Sequence, residues 1–351
     1  MLKYKAPLRD LRFAYYELFD GAGLARLPGF EEATEELIMD VVTEMANFCD
    51  GVLQPLNETG DKEGCTFEGG KVRTPKGFPE AYRKYREGGW TGVVARTKYG
   101  GQGLPHAASI LLTEVMCASN LSFAMVTALT NGAYSALDQH ATDELKERFI
   151  PKLVEGGWSA TMCLTEPQAG TDLGLVRMKA IPVDPAASPS AGAYRLTGSK
   201  IFISGGDHDL TENIVHLVLA RLPDAPPGIK GISLFVIPKL REEGGKLLPN
   251  GVTCGAIEHK MGIKASPTCV INFDNAEGFL VGEPNKGMKG MFTFMNGARL
   301  HVGVQGLALA EASYQAAVKF ARERLQGRAL TGAKYPGQEA DPILVHPDVR
   351  R

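Results

Sequence analysis

The chain lacks the patterns that mark several common catalytic architectures. G-x-G-x-x-G, the P-loop, H-E-x-x-H and the G-x-S-x-G elbow are all missing, so Rossmann-type NAD enzymes, P-loop NTPases and zincins have no support here. Six cysteines, Cys49, Cys65, Cys117, Cys163, Cys254 and Cys269, form no C-x-x-C pair. Isolated reduced thiols in a reducing, cytoplasmic compartment are therefore expected, with neither a metal site nor a disulfide framework. No run of about eighteen apolar residues occurs, and Met1 to Pro7 lacks a continuous apolar core, so neither a membrane span nor export is expected. Charge of one sign is not in excess: 38 basic residues face 40 acidic ones. Nucleic acid and anionic membranes thus meet no broad attractive field, and an anionic ligand needs a local site.

What is present is material for a substantial interior. With 351 residues, 44% of them hydrophobic and 22% charged, the chain is expected to divide into two or three compact domains. From Glu31 to Leu56, apolar Leu37, Val41, Met45, Phe48 and Val52 recur at steps of three or four, which predicts a helix buried on that face. Further helices are predicted over Glu80–Glu87, Ala107–Cys117, Phe123–Gln139 and Asp143–Val154. From Trp158 the texture changes to short β-branched runs, Ile214–Arg221, Gly231–Pro238 and Thr268–Phe273, which read as a β-barrel or sandwich. Pro182 to Gly192 reads as a surface loop. After Gly287 an a/d stripe of Leu300, Val304, Leu307, Tyr314, Val318, Ala321 and Leu325 predicts a bundle helix.

Two segments carry chemistry. In Met162-Cys163-Leu164-Thr165-Glu166-Pro167-Gln168-Ala169-Gly170-Thr171-Asp172, an apolar strand runs into a turn rich in hydroxyl, carboxylate and glycine, able to offer backbone amides to an anion. The alternative is a strand-ending turn in which Thr165 and Asp172 satisfy nearby backbone groups. Then Lys200-Ile201-Phe202-Ile203-Ser204-Gly205-Gly206 alternates as a strand, with Phe202 and Ser204 on one face. An aromatic plane beside a hydroxyl suits an isoalloxazine ring, although such a pair is also ordinary packing.

Taken together, C-x-T-E-P-x-A-G-[ST]-D and the K-x-[WF]-I-[ST]-x-G-G strand resemble the flavin-binding signature of the acyl-CoA dehydrogenases. The resemblance extends through Tyr99–Pro105, Lys260–Ser266, Ala298-Arg299 and Ala321–Arg324, nearly the whole chain from Glu31. The stretch Tyr4 to Phe13 is similar to the extension of a longer bacterial subfamily that includes 3-(methylthio)propanoyl-CoA dehydrogenases. The resemblance implies an α+β multidomain fold: an amino-terminal extension (1–30), a helical domain (31–157), a flavin-contacting β-barrel (158–280) and the first part of a carboxy-terminal helical bundle (281–351). It implies FAD as cofactor, with Met162, Leu164, Thr165 and Phe202 at the ring and Ser204 at N5. Gly170 and Thr171 approach FAD and the substrate, and Asn296 and Arg299 contact acyl-CoA. Arg324 and Gln326 reach the FAD pyrophosphate of a neighbouring subunit in a homodimer or homotetramer. The alternative for Arg324 is a solvated cation at a helix end.

Acyl-CoA dehydrogenation needs a carboxylate to remove the α-proton. Ala298 stands before Arg299 where some members carry that Glu, so the base is expected beyond Arg351. Glu311 on the α-helical stripe is either a substitute base or a helix-pairing residue, and Glu166 is expected to serve the turn. Electron-transfer flavoprotein is the implied acceptor. The alternatives are an acyl-CoA oxidase using oxygen and a non-catalytic protein that binds FAD or acyl-CoA.

Overall fold

The computed structural model describes residues 3–350; Met1, Leu2 and Arg351 fall outside them, as does the base expected past Arg351. After α1 (Leu8–Arg12), the first long helix is α2 (Glu35–Phe48), followed by α3 (Gln54–Glu63). Thr34 caps α2 by accepting the Leu37 N–H at 3.2 Å, and Glu35 and Glu36 in the first turn oppose the helix dipole. The expected buried face is corrected by one residue. Ile38, Val42, Met45, Cys49 and Leu53 are buried, whereas Leu37 is exposed and Val41, Phe48 and Val52 are half-buried. Two neighbouring apolar rows run along this stretch, and docking against the rest of the helical layer decides which becomes central.

A small hairpin, β1 (Thr66–Glu68) and β2 (Lys71–Arg73), precedes α4 (Phe78–Glu87) and the long α5 (His106–His140). The two helices expected on either side of residue 120 are joined, but the backbone breaks at Asn120 (φ −157°, ψ 90°). Asn120 accepts the Phe123 N–H at 3.1 Å, capping the second half, and donates to the Leu53 carbonyl at 3.0 Å. By length and hydropathy α5 is apolar enough to cross a membrane, yet 72% of its most apolar window is buried inside this protein, as in a core helix. Helix α6 (Asp143–Glu155) completes this layer.

The strands are β3 (Trp158–Cys163), β4 (Lys179–Pro182), β5 (Ala193–Ser204), β6 (Asn213–Arg221) and β7 (Ile232–Pro238). A hairpin β8 (Leu240–Glu243) and β9 (Lys246–Pro249) leads to β10 (Val252–Ile257) and β11 (Thr268–Val281). Pairing runs β11–β5–β4–β6–β7 and back to β11, closing a ring and removing its edges, with β3 parallel to β6 and β10 against β11. Residues 183–192 form the loop between β4 and β5. All six cysteines are free thiols, five of them buried.

Helix α7 (Gly287–Glu323) packs along α5, and α8 (Pro347–Arg350) follows a loop. Gly287, Gly290, Met291, Phe294, Ala308 and Ala321 are the buried positions of α7. The expected stripe is corrected here: Leu300, Leu307 and Tyr314 are exposed, and Leu325 lies past the helix end. A helix apolar on more than one side has a periodicity that does not name the side that docks.

Within the barrel, His216 Nδ1 lies 2.7 Å from Thr161 Oγ1 and His208 Nε2 lies 3.1 Å from Ser159 Oγ. Burial first, then the charge of Lys239, lowers the imidazoles to about 3 for His216 and about 4 for His208. Both are neutral in the fold, whereas in the unfolded chain they take up protons near pH 6.5. Stability is therefore complete above that pH and falls as pH drops towards 4, by at most ~1.4 kcal/mol per pH unit for each histidine. Urea midpoints measured from pH 8 to 5.5, above most of the carboxylate range, are expected to show the onset of the decline, and a flat profile would refute it.

Candidate active site

The strand β3 ends in a turn fastened from inside. The backbones of Glu166 and Ala169 exchange hydrogen bonds of 2.9 Å, closing the turn. The buried Glu166 carboxylate accepts the N–H groups of Arg177 (2.8 Å) and Met178 (3.1 Å) and the side-chain amide of Gln168 (2.6 Å). It also pairs with Lys200 at 2.8 Å. Lys200, fully buried on β5, donates to the Leu164 carbonyl at 2.8 Å, and the Ile201 N–H donates to the Thr165 carbonyl at 2.9 Å. The two motifs are thereby one unit. Burial drives the Glu166 carboxyl upward, but Lys200 and the two amides outweigh it and hold the group below the usual carboxylate range. Burial in turn lowers Lys200 against the pull of Glu166. A carboxylate with all these partners serves the turn. Asp172 likewise acts locally, accepting the Gly174 N–H at 2.9 Å.

The strand carrying Phe202 departs from strict alternation. Its register against β11 shifts between Cys269 and Ile271, and Phe202 takes a left-handed φ of 59°. With this bulge Phe202 is 59% exposed, while Ile203 is buried and Ser204 opens into a cavity that Phe202 does not line. The shared face expected for Phe202 and Ser204 is thus corrected: an extra residue in a strand re-aims the side chains that follow it.

That cavity, of about 250 Å³, lies between the barrel and helices α5 and α7. Ser204 and Met162 form its barrel wall, and Thr293, Gly297, Ala298, His301, Val302 and Gln305 form its α7 wall. Opposite stand residues of α5, among them Met125, Asn131, Gly132 and Ser135. A Cβ on Gly132 would sit 2.2 Å from the Phe294 ring, so glycine permits the close helix approach. Burial keeps the His106 imidazole low, and it lowers His301 likewise, with His106 adding to the effect.

Of the other expected residues, Leu164 and Thr165 are half-buried beside β5, and Gly170 and Thr171 lie exposed on the outer turn. Asn296 and Arg299 are outside the cavity, on the exposed side of α7, with Arg299 donating to Asn296 at 3.3 Å. Arg324 and Gln326 are exposed where α7 ends, 3.4 Å apart. Their loop is organised by buried Asp341, which accepts the N–H groups of Ala329, Lys334 and Tyr335 at 3.0, 3.1 and 2.8 Å. Those amides, Ala329 foremost, lower its carboxyl to about 2. Glu311 lines no part of the cavity; it accepts from Gln315 one turn further along α7, and Gln315 also bonds the Lys5 backbone. The sequence reading missed the cavity residues of α5 and α7. Their signal was a helical row of small and polar groups at 293, 297, 298, 301 and 305.

Sequence models of the acyl-CoA dehydrogenase N-terminal and middle domains match residues 34–157 and 161–276. Over its whole length the chain is 45% identical to a 3-methylmercaptopropionyl-CoA dehydrogenase of Ruegeria pomeroyi, of which it covers 58%. It spans the same 58% of further curated relatives. Among solved structures, butyryl-CoA dehydrogenase from Megasphaera elsdenii aligns with a TM-score of 0.71 at 28% identity, over 89% of this chain and 73% of that one. An acyl-CoA dehydrogenase from Bacillus anthracis complexed with FAD shares the fold, with a TM-score of 0.71 at 22% identity over 91% of this chain and 48% of that one.

Removing Lys200 leaves the Glu166 charge buried and unpaired. Lys200→Met is expected to cost roughly 3–5 kcal/mol, and adding Glu166→Gln to recover part of it. Equilibrium unfolding of the two variants checks this; equal stability of Lys200→Met and the parent would refute it.

Proposed function

The chain belongs to the acyl-CoA dehydrogenase family, and from that premise we propose that the protein oxidises the Cα–Cβ bond of an acyl-CoA thioester to the trans-2-enoyl-CoA. The observation that carries this reading is the cavity closed on one side by Ser204 and Met162 and on the other by α7, beside the turn that Glu166 and Lys200 fasten.

The residues present fit FAD. Phe202 offers an exposed ring at the barrel rim, the Ser204 hydroxyl opens into the cavity, and Gly170 leaves room beside Thr165, whose nearest atom is 3.8 Å from the position of an added Cβ. When bound, FAD supplies a hydride acceptor at N5. In this reading Met162, Leu164, Thr165 and Phe202 hold the ring and Ser204 donates to it. Gly170 and Thr171 approach the cofactor and the pantetheine of the substrate. Gly297 and Ala298 leave room for the acyl group, with Asn296 and Arg299 flanking it on the same turns of α7. Arg324 and Gln326 reach the pyrophosphate of a neighbouring subunit, a task suited to a permanently charged guanidinium. The enzyme is then a cytoplasmic homo-oligomer that passes its electrons to electron-transfer flavoprotein. In this reading the α-proton goes to a carboxylate beyond Arg351, because Glu166 is engaged in the turn and Glu311 is bonded by Gln315 outside the cavity.

The test is anaerobic titration of the FAD-loaded chain with acyl-CoAs, followed by flavin absorbance. Acyl-CoA is expected to perturb the bound flavin, with bleaching in the 351-residue chain absent until the later carboxylate is supplied. Bleaching without it would restore a local base, and failure to hold FAD would overturn the flavin site. Peroxide formed under air at the rate of turnover would mark an oxidase. Arg324→Ala is expected to weaken FAD binding roughly 10- to 100-fold, the worth of a charge-assisted contact, and unchanged affinity would refute its role.

A further inference from the structure

Beyond the end of α7 the chain makes a long loop before α8, and between Gly327 and Asp341 it holds only turns and bends. A loop of that length without secondary structure of its own is usually kept for a function. Its two ends run antiparallel. The Ile343 N–H donates to the Arg324 carbonyl at 2.8 Å, the Gln326 N–H to the Asp341 carbonyl at 3.0 Å, and the Asp341 N–H to the Gly327 carbonyl at 2.9 Å. Leu325 thereby bridges Pro342, and Gly327, at a left-handed φ of 72°, turns the chain into the loop. The fully buried Asp341 side chain gathers the interior: besides the amides of Ala329, Lys334 and Tyr335, it pairs with Arg328 at 3.4 Å. Arg328 in turn donates to the carbonyls of Tyr335 (3.2 Å), Gln338 (2.6 Å) and Glu339 (3.0 Å). One carboxylate and one guanidinium thus satisfy backbone groups along most of the loop, where a turn without ladder partners would leave them open.

We propose that Asp341 is a positioning residue for the cofactor: by fixing this loop it holds Arg324 and Gln326 in the direction from which they meet the FAD pyrophosphate of a neighbouring subunit. The inference rests on the pyrophosphate reading above and adds the group that aims the contact. Residues two apart on extended backbone share a face, and the exposed side chains of Arg324 and Gln326 do so, 3.4 Å apart. The helix does not set the direction of that face, because α7 releases the chain at Arg324 (φ −70°, ψ 115°). The pairing with Asp341 to Ile343 sets it instead. Arg328 is no substitute for Arg324, since its guanidinium is turned into the loop by Asp341 and the three carbonyls. A side chain binds an anion more tightly when its backbone is already ordered, so that less freedom is lost on contact. Without the Asp341 carboxylate, the amides of Ala329, Lys334 and Tyr335 lose their acceptor and the ends of the loop separate more readily.

The experiment is a double-mutant cycle on FAD affinity in the whole chain, with Arg324→Ala, Asp341→Asn and the two combined, alongside trypsin cleavage after Lys334, which lies exposed in the loop. Asp341→Asn is expected to speed that cleavage and to weaken FAD binding roughly 3- to 30-fold, within the loss caused by Arg324→Ala. In the Arg324→Ala background the same substitution should change FAD affinity by less than about twofold, because no guanidinium is left to aim. A role in stability alone would instead add its loss to that of Arg324→Ala. Arg328→Met, which keeps Asp341 and its three amides, is expected to show the same pattern at smaller size, and it carries the test if Asp341→Asn does not fold. Faster cleavage with unchanged FAD affinity, or a loss that persists undiminished without Arg324, would overturn the positioning role while leaving the pyrophosphate reading intact. Unchanged FAD affinity in Arg324→Ala itself would overturn that reading and the inference with it.

Discussion

The candidate site depends on one buried ion pair. Glu166 and Lys200 come from the turn after β3 and from β5, and their union brings two segments more than thirty residues apart into one surface. Two charges in such a place are costly to desolvate, and here the cost is offset by the Arg177 and Met178 amides, the Gln168 amide and the Leu164 carbonyl. Leu164, Thr165 and Ile201 are fixed by the same contacts, so the outer turn projects from a rigid base.

The second constraint is the approach of α5 to α7. Gly132 removes a side chain where Phe294 crosses, and the break at Asn120 re-aims the second half of α5 while its side chain satisfies the groups that the break exposes. Two cavities follow from this geometry: one opens to the barrel beside Ser204, the other ends among the methionines and aromatics of the helical layer. Charge is scarce around them, and desolvation lowers the imidazoles of His106 and His301, which face the larger cavity.

Much was legible beforehand. Periodicity located the helices at 80–87 and 143–154, β-branched runs located β6, β7 and the start of β11, and the turn and strand motifs carried the family. Glu166 was expected in the turn, where the structure has it. The faces were harder. The α2 face shifted by one residue, and Leu300, Leu307 and Tyr314 came out exposed, because both helices carry apolar residues in more than one row.

The sequence by itself determined the chemistry on offer and the family to which it belongs, since glycine, hydroxyl and carboxylate at fixed spacing in a turn are local properties of the chain. Only the tertiary structure decided which side chains share a space. The bulge at Phe202 separated it from Ser204, and Asn131, His301 and Gln305 met across two helices whose contact no local pattern encodes. The second cavity is likewise a product of packing: its floor joins α2, α4 and α5, and the space left between them is a difference of large, nearly cancelling volumes.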